Sequence, residues 1–322
     1  MKTSMTSIAK LAGGLALLAA SGVSMASVVN TPHNLGVTNM TGGARMVSTA
    51  GSPATTEICI FCHTPHGGNQ QVTAPIWNRT ISSTTVYTRF SSMGRITFEA
   101  NEAPVGSVSI ACLSCHDGTQ ARDAVINGPG SGNNGNVVGG GTWMDGTNTA
   151  SAYLSGLNAS DNGTLTGDLI YLGTDLRNDH PISMQYGGGG IQGTLNATRD
   201  PDFAQGGAGT GGFGLSAANH AGATSTNAGV QGTATGVVVS TTQGGLPAFG
   251  ASSATKWYVD TGTAGFQLSD FPLYTRNDGP GGLNEPYVEC ATCHDPHSNN
   301  STFLRLPGGN RGSQVCLTCH AK

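Results

Sequence analysis

Apolar residues fall along this chain in three regimes. The first is a block from Leu11 to Ala20, preceded by Lys2 and Lys10 and followed by Ser24-Met25-Ala26. A positive n-region, a short apolar run and a small-x-small site predict a signal peptide over 1–26, with the mature chain starting at Ser27. The run is too short for a membrane helix, which needs about 20 apolar residues, and no later segment approaches that length. The second regime gathers aromatic and aliphatic side chains near the two ends of the mature chain: Ile58, Phe61, Trp77, Tyr87 and Phe90, then Tyr287, Phe303 and Leu306. The third, Gly130 to Ala254, is rich in Gly, Ala, Thr, Ser and Asn, and few of its apolar positions show a helical period. Gly236-Val237-Val238-Val239-Ser240 and, just beyond it, Trp257-Tyr258-Val259 predict short strands. The pattern predicts a chain that is mostly coil, with few short helices and minor β.

Composition makes an ordinary core hard to build. Hydrophobic residues are 37% of the chain, against roughly 45–50% in typical globular proteins. Charged residues are 10%, against about 25%, and there are 50 glycines among 322 residues. Apolar burial alone would not offset the ordering entropy of such a chain, so another apolar mass must supply a core or much of the chain is loop. The formal net charge is −4, and removal of Lys2 and Lys10 makes it more negative. No Lys/Arg cluster is present to meet phosphates, which argues against nucleic acid as a partner.

The eight cysteines change the picture. All fall into Cys-x-x-Cys-His: Cys59, Cys62 and His63; Cys112, Cys115 and His116; Cys290, Cys293 and His294; Cys316, Cys319 and His320. Two thiols three positions apart lie on one helical turn and can each form a thioether to one haem vinyl group. The following histidine then reaches the iron from beneath the ring. Disulfides and zinc sites also use Cys-x-x-Cys, but four copies, each followed by His and with no cysteine left over, favour four covalently bound haems c. The haems would supply the missing apolar core.

Nine histidines are present, and five are not proximal: His33, His66, His180, His220 and His297. Four irons with two axial histidines each need four of them. His66 and His297 each follow a proximal histidine by three positions, in Cys-His-Thr-Pro-His and Cys-His-Asp-Pro-His. Such a residue cannot reach the far face of its own haem but can reach a neighbouring one, which forces two porphyrins into contact. His33 and His180 stand beside Pro32 and Pro181, which stiffen the backbone. His220 lies in a small-residue stretch and reads as a solvent-exposed histidine. Met40, Met46, Met93, Met144 and Met184 are the competing distal ligands, and none recurs near the motifs.

The chain therefore divides into a signal peptide at 1–26, an N-terminal dihaem unit at 27–128, an insertion at 129–255 that delivers His180, and a C-terminal dihaem unit at 256–322. Each dihaem unit opens with Cys-His-x-Pro-His and closes with Cys-Leu-[Ser/Thr]-Cys-His, an internal repeat of unequal spacing.

Six segments resemble the doubled Cys-x-x-Cys-His multihaem cytochromes: Pro32–Leu35, Cys59–Gly67, Ala74–Arg79, Ala111–Gly118, Asn178–Ile182 and Cys293–His297. A four-haem chain with a signal peptide and a Gly/Thr-rich insertion is similar to the OmcE-like outer-surface cytochromes of metal-reducing bacteria. The resemblance implies a multihaem cytochrome c fold organised around four haems, with His33, His66, His180 and His297 as distal ligands. It implies extracellular electron transfer in filaments, with copies of the same chain, other multihaem cytochromes and extracellular electron acceptors as partners. One distal histidine would come from the next subunit, and His33, near the N-terminus, is the expected one. A monomeric periplasmic shuttle and a multihaem reductase are the alternatives. Six-coordinate haems leave no open site, so no enzymatic activity is expected.

Overall fold

The computed structural model of the chain describes residues 28–36, 56–94, 100–120, 125–128, 171–189, 198–200, 202–204, 237–241, 256–261, 267–276, 278 and 285–320. The segment read as a signal peptide, His220, Met40, Met46 and Met144 lie outside the described residues, as does most of 129–255. Among the described residues no helix is long and apolar enough to cross a membrane. The rest is mostly coil with few short helices and a small sheet.

Among the described residues there are three α-helices, α1 (Ser109–His116), α2 (Cys290–Cys293) and α3 (Gln314–Cys319), and all three carry Cys-x-x-Cys-His motifs. The first motif begins on a 3-10 turn, Cys59–Phe61. Chain chemistry sets the helix lengths. Ala111 and Leu113 favour helix in α1, and Gly118, at φ 71°, follows its end in the left-handed region. In α2 the Glu289 side chain and Thr292 form a reciprocal capping box. Pro296 disfavours helix at Asp295, so α2 ends after one turn, and His294 leaves it in an extended conformation.

Five antiparallel strands form one sheet: β1 (Met184–Gln185), β2 (Val237–Thr241), β3 (Lys256–Asp260), β4 (Phe271–Arg276) and β5 (Glu285–Val288), in the order β1-β5-β4-β3-β2. The two expected strands are β2 and β3, paired with each other through Val239 and Tyr258. Strands β4 and β5 were not expected, because Pro272 and Pro286 each remove a ladder donor. Met184 sits buried in β1 opposite Val288, committed to the sheet.

The core is split, and each part touches attachment cysteines. Tyr186, Ala204, Trp257, Val259, Phe271 and Leu273 form one cluster, against which Cys293, Cys319, Leu306 and Val315 pack. Val72, Trp77 and Ala111 form another, with Cys62 and Ile110 against it. Burying each large side chain contributes about 1.5–3 kcal/mol, so these clusters hold the motifs of both halves of the chain. The insertion takes part as well: Met184 pairs with β5, and Leu172 N–H donates to the carbonyl of His116 at 2.8 Å.

Candidate haem sites

The first and third motifs are built by the same backbone arrangement. His63 Nδ1 donates to Pro75 O at 2.9 Å, and His294 Nδ1 donates to Thr302 O at 2.8 Å. In each case the chain after the proximal histidine folds back on it. Thr64 N–H donates to Ile76 O and Asp295 N–H to Phe303 O. Asn78 N–H donates to Cys62 O and Arg305 N–H to Cys293 O. His63 bridges to Trp77 and His294 to Leu304. The turn residue has positive φ in both, Ile76 at 47° and Phe303 at 58°, joined in the latter case by Thr302 at 54°. A non-glycine residue in this region costs about 1–2 kcal/mol, and such strain persists where surrounding bonds over-determine it. Side chains reinforce the fold-back. Asn78 Nδ2 donates to Ile60 O and Asn127 O, and Arg79 Nη2 to Ser114 O of the second motif. Arg305 donates twice to Ala291 O inside the third motif.

The imidazoles fall into pairs. The ring centres of His63 and His297 are 6.1 Å apart with an interplanar angle of 18°. Those of His33 and His116 are 6.3 Å apart at 67°. An imidazole nitrogen sits roughly 2 Å from a first-row metal and the ring centre about 1 Å further, so two rings on opposite faces of one iron have centres roughly 6 Å apart. Both pairs fit that separation. Burial lowers the pKa of His294, and Arg305 and nearby His180 lower it further against the opposing Thr302 carbonyl. Burial also lowers His63 and pushes His33 down to about 4, with His116 adding to the effect on His33. The neutral ring is the form that binds a metal. Nδ1 of His63 and His294 is engaged by the carbonyls above, Nδ1 of His180 by Pro181 O at 3.0 Å, and Nδ1 of His33 faces Pro296 O at 3.4 Å. Such contacts fix the tautomer and leave Nε2 for a metal.

His33 lies against His116 of its own chain, on the folded segment 28–36. Thr31 Oγ1 donates to Val28 O, buried Asn34 donates to Val29 O, and Gly36 N–H donates to Asn34 Oδ1. His66 is exposed and enters neither pair. His320, the fourth proximal histidine, lies beside Phe203, with ring centres 4.4 Å apart.

No disulfide joins any of the eight cysteines. Their neighbours run in chain order. Burial pushes Cys62 up to about 12, with Cys115 of the second motif adding to the rise. Cys112 hydrogen-bonds Cys290 of the third motif, which raises Cys112 and lowers Cys290. Burial pushes Cys293 up to about 12, with Cys316 of the fourth motif contributing. Thiols of successive motifs therefore lie near one another. Among the described residues no group of three or more His, Cys, Asp or Glu gathers as a separate metal site. Trp77 Nε1, beside His63, is buried without a protein acceptor, a donor that a haem propionate would satisfy.

Sequence reasoning found the motifs but missed the carbonyls of Pro75 and Thr302, the Asn78 tie and the stacking of Phe303 on His33. Only the Ala74–Arg79 segment gave a signal for any of them.

No curated protein matches the chain. The family model of the doubled CXXCH motif matches residues 285–322, which hold the third and fourth motifs. This similarity, together with paired imidazoles at iron-bridging separation, supports a multihaem c-type cytochrome that binds haem c covalently and takes part in electron transfer.

Proposed function

We propose that the chain is an exported tetrahaem cytochrome that conducts electrons outside the cell membrane and polymerises into filaments. The observation that carries the reading is the pair of imidazole couples, His63 with His297 and His33 with His116, at the separation of two ligands on one iron. Bound haem supplies a one-electron iron couple at each attachment site. The protein's part is to keep that centre six-coordinate and still. Cys59 and Cys62, Cys112 and Cys115, Cys290 and Cys293, and Cys316 and Cys319 anchor the four groups. His63, His116, His294 and His320 are the proximal ligands. His297, His33 and His180 close the first three sites. The backbone carbonyls of Pro75 and Thr302 hold two of the rings against rotation. Were haem bound with a second histidine at every site, no substrate site would remain, and the protein would act as a conductor rather than an enzyme.

The fourth distal ligand in this reading is His66, donated by one copy to the His320 site of the next. Two features favour His66 over His33 for that role: His33 is matched with His116, and His66 is exposed on a loop whose backbone runs against that of an exposed apolar residue. Ile76 is 53% exposed, and the backbone of the His66 loop presses on it, since a Cβ at Gly68 would fall 2.8 Å from its carbonyl carbon. An exposed histidine and an exposed apolar residue on adjoining backbone suit a contact between copies. Other multihaem cytochromes and extracellular acceptors are the further partners, with no nucleic acid and no membrane span.

Electron microscopy of sheared cell-surface material, with haem content measured by pyridine haemochrome, tests the reading. Filaments containing this chain with four haems per copy support it, and H66A removes them while lowering the coordination of one haem. Haem-loaded monomer alone, unaffected by H66A, favours the periplasmic shuttle. A ferric cyanide complex in the wild-type protein favours the reductase.

A further inference from the structure

We propose that Phe303 is a positioning residue that sets the ring plane of His33, so that the second attachment site has crossed axial imidazoles while the first has nearly parallel ones. The inference rests on the haem-binding reading above and concerns how one of its sites is tuned.

The Phe303 ring stacks on His33 with centres 4.1 Å apart and planes 10° from parallel. That contact fixes the tilt of a ring whose imidazole otherwise meets, among the described residues, the carbonyl of Pro296 at a long 3.4 Å from Nδ1. Phe303 is itself held firmly. Its φ of 58° is locked by Asp295 N–H donating to its carbonyl at 2.8 Å and by its own N–H donating to Asn300 O at 3.0 Å. Asn300 Nδ2 closes the turn on Leu304 O at 2.8 Å. His33 consequently stands at 67° to His116. At the first site His297 is held differently, by Asp295, whose carboxylate accepts from the His297 backbone at 2.9 Å and lies 3.5 Å from its Nδ1. There the two rings are 18° from parallel.

The difference has an electronic consequence. Each axial imidazole mixes its π orbital with one iron d orbital of matching symmetry. Parallel rings raise the same orbital and split the pair, which gives a rhombic low-spin EPR signal. Crossed rings raise both equally and leave them nearly degenerate, which gives an axial signal with a large maximum g value. The turn that carries Phe303 also supplies the Thr302 carbonyl to His294 at 2.8 Å, so one strained turn orients ligands at two sites.

EPR of the fully ferric holoprotein, with haem content measured in parallel, provides the test. The wild type is expected to show a rhombic component and a large-g component, the latter integrating to at least one haem per chain. F303A should remove one haem's worth of the large-g component at unchanged haem content, and F303Y, which keeps the stacking ring, should retain it. A wild-type spectrum with rhombic signals alone overturns the proposal even if no variant folds. So does a large-g component that F303A leaves unchanged. Absence of haem altogether would instead overturn the underlying reading.

Discussion

Ser109 Oγ donates a hydrogen bond to Glu289 Oε2, 180 positions away in sequence, and accepts one from Cys290 N–H at 2.9 Å. This exchange ties the start of α1, which carries the second motif, to the start of α2, which carries the third. Glu289 is 1% exposed, and it also accepts from Ser183 and from Arg276 Nη1 at 3.0 Å. Arg276 continues the network to Pro104 O and Asp278.

Replacing Ser109 by Ala leaves the Glu289 carboxylate and the Cys290 amide each one bond short. A buried group left unsatisfied costs about 1–3 kcal/mol, so S109A should lower stability by that amount in denaturant titration of the haem-loaded protein. R276M removes the positive partner of a buried carboxylate and should cost more, about 3–5 kcal/mol. G106A should act in the same direction as R276M, because the added Cβ would lie 2.9 Å from Arg276 Nη2.

Glu289 also predicts a pH dependence. Burial pushes its carboxyl up to about 7, and Arg276 only partly opposes the rise. The folded chain then holds a proton that the unfolded chain releases near pH 4.5. Stability from this group is fully present below about pH 4.5 and is lost as pH rises through 7, by up to roughly 3 kcal/mol. Asp278 and Asp295 are lowered, Asp278 chiefly by its bond to Arg276 and Asp295 by hydrogen bonds from His297 against the effect of burial. Their contribution has the opposite sign and is lost only below about pH 4. His33, His63 and His294 are lowered as well, and their contribution is lost as pH falls below about 6.5, against that of Glu289. Chemical denaturation of the wild type and E289Q at pH 5.5 and 7.5 should therefore isolate the Glu289 part, with E289Q gaining stability relative to the wild type at 7.5.

Asn78 is the tie that sequence reading left without a role. Its side chain donates to Ile60 O at 2.6 Å and to Asn127 O at 2.8 Å, and accepts from Asn127 N–H at 2.9 Å. With each bond worth about 1 kcal/mol, N78A should destabilise the N-terminal half by roughly 3 kcal/mol. Limited proteolysis with haem-stained peptides should show earlier release of the first motif than of the third.

The His63–His297 couple predicts a spectroscopic change. H297A should convert one haem per chain to a high-spin species that binds carbon monoxide when reduced, with the remaining haems low-spin. Because His297 belongs to the third motif and His63 to the first, the altered haem should be the one attached at Cys59 and Cys62, identifiable by mass mapping of carbon-monoxide-protected peptides.

The motifs were legible because they are local: five residues in a row contain both thiols and the adjoining histidine. The coil-rich fold was legible from the scarcity of periodic apolar positions, and β2 and β3 from their valine and aromatic runs. The remainder depended on contacts that leave no mark in a single sequence. The fold-back turns at Pro75–Asn78 and Thr302–Arg305 are equivalent, yet no residue type repeats between them, since backbone groups make the shared bonds. The fold of the His33 segment was not legible either, since Thr31 and Asn34 hold it through bonds to the carbonyls of Val28 and Val29. Strands β4 and β5 were hidden by Pro272 and Pro286, whose lost donors the sheet tolerates.

Intact-mass spectrometry of the exported protein, paired with its visible spectrum, tests the central claim most directly. The account predicts a red protein with a Soret band, carrying four haem masses above the polypeptide and no cysteine open to alkylation after unfolding. A colourless protein at polypeptide mass, with its thiols alkylatable or joined to one another, would contradict it.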